Sequence, residues 1–276
     1  MTEHIVERTK QPAKHSGIGI FDSGVGGLTV LAKVQEALPN ESIVYVGDTA
    51  NAPYGGKSHE ELLRHGRDII AFLRRQNVKA VVLACGTTSS TVYEQLVAEN
   101  PDIPLIDVIR PGVRACVDLT GKNPSMRIGV IATAATIKSG MFAKLLKAER
   151  PHASLLVQAC PMFAPMVESG VAHGPIAKWA VETYISNWRG NIDALVLGCT
   201  HFPMLTDVLS EVLGPVQFIN LAASAVASAK EKLAGLIASD ANPCVHTYYV
   251  TGDPAPFNLI ARFLLNKDIT SLPIKL

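Results

Sequence analysis

Val81-Val82-Leu83-Ala84-Cys85-Gly86-Thr87-Thr88-Ser89 decides the fold of this chain. The apolar residues bounded by a Cys-Gly turn read as a fully buried strand, and the Thr/Ser run after them reads as a helix start. Cys85 then stands at the carboxyl end of a strand and the mouth of a helix, where open α/β sheets bind their ligands. The pattern recurs as Leu195-Val196-Leu197-Gly198-Cys199-Thr200-His201, again an apolar strand that ends in a cysteine before a helix. Two such stretches, 114 residues apart, imply an internal duplication.

The flanking sequence extends the pattern in both directions. Ile18-Gly19-Ile20-Phe21 is a short buried strand, left through the turn Asp22-Ser23-Gly24-Val25-Gly26-Gly27. A helix follows with Leu28, Leu31, Val34 and Leu38 on one face, stopped by Pro39-Asn40. Ser42-Ile43-Val44-Tyr45-Val46 is the next strand. It leads into a loop at 47–56, rich in Gly and Pro, of the kind that carries function. Ser58-His59-Glu60-Glu61 has capping-box spacing and opens a helix to about Gln76, with Leu62, Ile69, Ile70 and Leu73 inward. A helix to about Asn100 follows the Val81 strand, and Leu105-Ile106-Asp107-Val108-Ile109 is a fourth strand. Strands alternating with helices give a parallel sheet.

The pattern then restarts. Met126 to Thr133 is a strand that ends in small polar residues, like the one at Ile18, and its offset nearly matches that of the cysteines. Strands at Leu155 and Asp193, a helix at 175–188 with Ile176, Trp179, Ala180 and Tyr184 inward, and a helix from Pro203 to Gly214 complete a second set. Beyond it come a strand near Val216, an alanine-rich helix to about Ile237, a strand at His246 and a closing helix at 256–265. The expected fold class is α/β: two similar three-layer domains with mainly parallel sheets, related by a pseudo-two-fold, with the site in the cleft between them. The expected boundaries are 17–108 plus 217–276 for the first domain and 109–216 for the second. Residues 1–16 read as a frayed tail without the apolar centre of a signal peptide.

Composition narrows the function classes. Of 276 residues nearly half are apolar and 18% are charged, enough for a substantial core. A net charge of +1 without long basic runs argues against nucleic acid or a membrane surface as partner. No apolar run is long enough to span a bilayer. Five scattered cysteines form neither a disulfide framework nor a Cys-x-x-Cys zinc motif, which indicates a reducing, cytoplasmic setting and no metal.

Cysteines at matching strand ends of duplicated halves would face each other across the cleft. Such a pair suits a reaction that attacks one carbon from both sides: a proton leaves one face and another arrives on the opposite face, inverting a stereocentre. A thiol becomes a usable thiolate beside a helix N-terminus or a cation. A single buried cysteine is more often a small hydrophobe, so the pairing carries the weight here. Asp22 and Ser23 reach the same rim or cap a helix. His201, two residues past Cys199, can protonate a neighbour or cap the Pro203 helix. Glu168, following apolar residues, reads as surface on pattern alone.

Several stretches resemble the glutamate racemase family. They are Ile20-Phe21-Asp22-Ser23-Gly24-Val25-Gly26-Gly27-Leu28, Gly47-Asp48-Thr49-Ala50-Asn51-Ala52-Pro53-Tyr54-Gly55, Cys160-Pro161-Met162-Phe163-Ala164-Pro165-Met166-Val167-Glu168, Gly198-Cys199-Thr200-His201-Phe202-Pro203 and Tyr249-Val250-Thr251-Gly252-Asp253-Pro254. They run in the family's order over most of the chain. The resemblance implies a cofactor-independent isomerase that interconverts L- and D-glutamate and supplies the D form for peptidoglycan (cell wall) biosynthesis. It implies that Cys85 serves the D enantiomer with help from Asp22. Cys199 would serve the L enantiomer with help from His201, whose imidazole Glu168 orients. Asp22, Ser23, Tyr54, Gly55, Gly86, Thr87, Thr200 and His201 would surround the substrate. Relatives are often dimers, so a homodimer is compatible with it.

Three positions depart from the family pattern. Gly86 stands where Asn is usual and offers no side-chain donor or acceptor. Arg110 replaces an acidic residue, and Asn220-Leu221-Ala222 replaces an Asp-Ser-Gly-like turn. Two further readings therefore stay open from sequence: a related racemase with another acidic amino-acid substrate, and a weakly active or non-catalytic amino-acid-binding relative.

Overall fold

The computed structural model of the chain describes residues 17–237 and 244–276; the tail expected at 1–16 lies outside the described residues. Among the described residues the strands, in chain order, are β1 (Ile18–Asp22), β2 (Ile43–Gly47), β3 (Ala80–Leu83), β4 (Leu105–Asp107), β5 (Arg127–Ala132), β6 (Ser154–Ala159), β7 (Ala194–Leu197), β8 (Gln217–Asn220), β9 (His246–Val250) and β10 (Ser271–Pro273). They form a six-stranded sheet ordered β10-β9-β2-β1-β3-β4 and a four-stranded sheet ordered β6-β5-β7-β8. Every pairing is parallel. The core of the first sheet, β2-β1-β3-β4, has the same order as the whole of the second, which is the duplication expressed as topology. The fold is thus α/β with two similar parallel sheets and flanking helices, as expected from sequence.

One strand falls on the other side of the expected boundary. β8 pairs with β7, Leu197 opposite Asn220, and so completes the second sheet as β4 completes the first. The tail returns to the first sheet only with β9, which pairs with β2, and β10 beside it. Sequence reading did not find β10.

Parallel sheets are covered on both faces, and their strands alternate between two cores. Ile18 and Ile20 of β1 join a cluster that continues through Val113 and Cys116 of the helix Ile109–Lys122 and Ala225 and Ala229 of the helix Leu221–Lys232. From there it reaches Ile128 and Val196 of the second sheet. Phe21, Val81 and Leu83 face a separate cluster with Ile69, Ile70 and Leu73 of the helix His59–Arg75. That helix carries the expected capping box: the Glu61 N–H donates to Ser58 Oγ, and the Ser58 N–H donates to Glu61 Oε2 at 2.9 Å. The helix expected to reach Asn100 is instead broken at Val92 into Gly86–Thr91 and Tyr93–Glu99.

The helix Gly174–Ile185 differs in phase from its expected stripe. Ala177, Ala180, Val181 and Ile185 are buried, while Ile176 and Trp179 are 64% and 57% exposed and Tyr184 is half-buried. Small alanines let the helix lie close against the second sheet, and the bulky residues are left on the rim. Among the described residues no helix is long and apolar enough to cross a membrane.

Candidate active site

Both thiols follow from strand register. Phe21 pairs with Leu83, and Ile131 with Leu197; Cys85 and Cys199 each come two residues after those strand ends. Each strand neighbours the first strand of its own sheet, so the cysteines occupy equivalent places at the carboxyl edges. One cavity of about 200 Å³ is lined by both.

On the first side, Asp22 ends β1 and is fully buried. Its Oδ2 accepts the N–H groups of Gly24 (3.1 Å) and Gly27 (2.9 Å), and its Oδ1 accepts the Thr200 hydroxyl at 3.4 Å. Burial raises its carboxyl pKa, and His201 and the two backbone donors pull it back. Cys85 caps the helix Gly86–Thr91 and is buried. Burial pushes its thiol up to about 12, the Asp22 charge adds to the rise, and Thr88 partly offsets it.

On the second side, Cys199 Sγ lies 3.5 Å from His201 Nδ1, and His201 Nε2 lies 2.9 Å from Glu168 Oε1. Burial alone would drive the His201 pKa down. Its hydrogen bonds to Cys199 and Glu168 outweigh that and hold it well above the usual histidine range. Glu168, the last residue of the helix Phe163–Glu168, is thus part of the site despite its surface-like sequence context.

Every candidate side chain except Asp22 lines the cavity; Asp22 lies directly behind it, joined to Thr200. Tyr54 forms a wall, and its hydroxyl donates to Asp48 at 2.5 Å. Asp48 also accepts from Asn51 at 2.9 Å and from Thr251 at 2.6 Å, so the loop after β2 is tied to the end of β9. This hub was missed in sequence, as was Thr133, which follows β5 and meets the Thr87 hydroxyl at 2.9 Å. The signal for Thr133 was its likeness to the polar exit of the Ile18 strand.

Two of the three departures lie elsewhere. Arg110 pairs with Asp107 and Glu94 and stacks over Tyr93 at 4.4 Å. Asn220 caps the helix Leu221–Lys232 by accepting from the Ala222 N–H at 2.8 Å. Neither lines the cavity. Among the described residues, no group of three or more His, Cys, Asp and Glu side chains is placed to hold a metal ion.

Known proteins share this architecture, and the class they define is that of racemases. The model of the Asp/Glu/hydantoin racemase family matches residues 18–229, and the chain belongs to that family. Similar proteins include glutamate racemases of several bacteria. That of Geobacter metallireducens is 40% identical over 255 residues, covering 91% of this chain and 93% of the relative. That of Aquifex aeolicus is 43% identical over 214 residues, covering 78% and 82%. The crystal structure of the Francisella tularensis glutamate racemase in complex with D-glutamate superposes with a TM-score of 0.87 at 33% identity. It covers 95% of this chain and 98% of that one.

Proposed function

We propose that this racemase interconverts L- and D-glutamate by moving the α-proton between two cysteines. The observation that carries the reading is the pair of equivalent thiols on one cavity, in a chain 40% identical to a glutamate racemase over nearly its full length. A cavity of about 200 Å³ is small beside sites for drug-sized ligands and suits an amino acid.

From the L enantiomer, the Cys199 thiolate takes the α-proton, and the electron pair is left on Cα, delocalised into the carboxylate. The Cys85 thiol then delivers its proton to the opposite face. The products are D-glutamate, a Cys199 thiol and a Cys85 thiolate, so every proton is accounted for; the D enantiomer runs the sequence backwards. His201, held by Glu168, stabilises the Cys199 thiolate, and Asp22 assists Cys85. Ser23, Thr87 and Thr200 supply hydroxyls, and Tyr54, Gly55 and Gly86 shape the wall. The two lobes are residues 17–108 with the tail from β9 onward, and 109–220. The D-glutamate serves cell wall synthesis, the compartment is the cytoplasm, and a homodimer is compatible with the family resemblance.

The test is circular dichroism of L- and of D-glutamate with purified protein and no added cofactor, with deuterium entering Cα in D₂O. Cys85→Ala and Cys199→Ala each abolish racemisation; full activity in either variant overturns the mechanism. Comparison of kcat/KM over acidic amino acids identifies the substrate.

A further inference from the structure

Gly86, the departure that does line the cavity, directs its missing side chain at the backbone of the Gly198-Cys199 turn. A Cβ built there would meet the carbonyl oxygen of Gly198 at 2.6 Å, where ordinary contact begins at 3.4 Å. Gly198 belongs to the opposite lobe and immediately precedes Cys199. We propose that Gly86 is a positioning residue: its bare backbone sets how closely the two cysteine-bearing turns approach, and so where the two sulfurs stand relative to a shared substrate carbon. The inference rests on the racemase reading above.

Neither turn has room to yield alone. The Gly198 N–H donates to Ile131 O at 2.8 Å, which fixes it to β5. On the other side the Ser89 N–H donates to Cys85 O at 2.9 Å, and the Ser89 hydroxyl donates to Leu83 O at 2.9 Å, which fixes the start of the Gly86 helix to β3. A side chain at position 86 is therefore relieved by parting the lobes. A second point of the seam meets side chains rather than backbone: a Cβ on Gly26 would lie 2.5 Å from both His201 Nδ1 and Thr200 Oγ1, each held by its own hydrogen bond. Between these points, hydroxyls bridge the lobes. Thr29 Oγ1 donates to Thr200 O at 3.1 Å, and Thr87 and Thr133 meet at 2.9 Å. Reacting groups displaced by about 1 Å lose on the order of a hundredfold in rate, so a few tenths of an ångström at this seam is enough to matter.

The direction of the missing side chain has a second consequence. An asparagine at 86 carries the same Cβ as alanine, set against the Gly198 carbonyl. Gly86→Asn therefore loses activity rather than gaining a substrate contact.

The experiment compares the full-length wild type with Gly86→Ala, Gly86→Asn, Gly26→Ala and, as control, Gly235→Ala, whose added Cβ meets nothing within 4 Å. Glutamate racemisation gives kcat and KM, and amide hydrogen exchange is followed over residues 84–92 and 195–203. Expected for both Gly86 variants is a fall in kcat of about tenfold or more with KM within about threefold. Exchange rises at both segments, and the thermal midpoint stays close to wild type. Gly26→Ala raises exchange at 195–203, and Gly235→Ala matches wild type throughout. The inference is overturned if Gly86→Ala and Gly86→Asn keep kcat within about twofold of wild type. It is equally overturned if exchange at 195–203 is unchanged in the Gly86 and Gly26 variants. A wild type that does not turn over glutamate overturns the functional reading instead, and the exchange arm, which needs no substrate, still judges the seam.

Discussion

At the level of single residues, the surroundings of the two sulfurs differ although their positions match. Cys85 is pushed up to about 12 by burial and by the neighbouring Asp22 carboxylate, so it rests as the thiol near neutral pH. Cys199 faces an imidazole that its own contact and Glu168 hold well above the usual range against the pull of burial. A Cys85 thiol facing a Cys199–imidazolium couple is the arrangement needed to accept L-glutamate. Because the folded-state pKa of His201 is raised, the imidazolium is complete below the unfolded value and is lost as pH rises through the folded one. The alkaline limb of kcat reports that loss. Glu168→Gln removes a carboxylate that raises the pKa, so this limb moves to lower pH. His201→Asn removes the couple altogether and lowers racemisation by roughly 10²–10⁴-fold. A pH–rate profile of the three proteins checks both; an unmoved limb in Glu168→Gln refutes the role given to that carboxylate. Residues like these differ in how legible they are. The cysteines announce themselves because each ends an apolar run at a matching offset. Asp48 does not, because its acceptor role depends on Thr251, which lies 203 residues away in sequence. Thr133 reads as an ordinary helix cap, which it also is, accepting the Thr136 N–H.

At the level of elements, short strands and well-capped helices were legible, and helix phase was not. The buried face of His59–Arg75 follows from its charged opposite side, which leaves a single apolar stripe. Gly174–Ile185 has apolar or small residues almost all round, so periodicity does not choose among its faces, and size misleads: the largest residue is outside. Trp179 is 57% exposed, whereas Trp188, in the turn just after this helix, is 6% exposed, its ring against β5 at Gly129 and beside Ile192. Urea unfolding separates the two. Trp179→Ser changes stability by no more than about 0.5 kcal/mol, and Trp188→Ala costs about 3–5 kcal/mol through the cavity it opens. The opposite ranking would return the helix to the phase expected from sequence. The pairing of β8 with β7 is hidden from sequence for a related reason. A short, half-exposed strand carries no mark of its partner, and only the shared order β2-β1-β3-β4 and β6-β5-β7-β8 shows that the second sheet needs a fourth strand.

For the molecule as a whole, the two sheets are bound together by a core that neither owns. The helices Ile109–Lys122 and Leu221–Lys232 lie in the cluster that reaches from β1 and β3 to β5 and β7. Cys116 sits in that shared core, away from the cavity, 1% exposed. Burial pushes its thiol from 9.0 up to about 12. The unfolded chain therefore gives up this proton first as pH rises. The contribution of Cys116 is complete below the unfolded value near 9 and is lost progressively as pH climbs toward 12. Cys85 titrates over the same window, and each such thiol adds up to about 1.4 kcal/mol per pH unit to the downward slope of stability. Because the Cys116 cluster spans both sheets, the loss is expected in one cooperative transition rather than in one lobe. Urea unfolding from pH 8 to 11, followed by a probe in each lobe, measures it. Cys116→Ala flattens the slope by one thiol's share while glutamate racemisation at pH 8 stays at the wild-type level, since Cys116 touches no part of the cavity. An unchanged slope in that variant, or two separated transitions in the wild type, removes the claim that this buried core is what the lobes share.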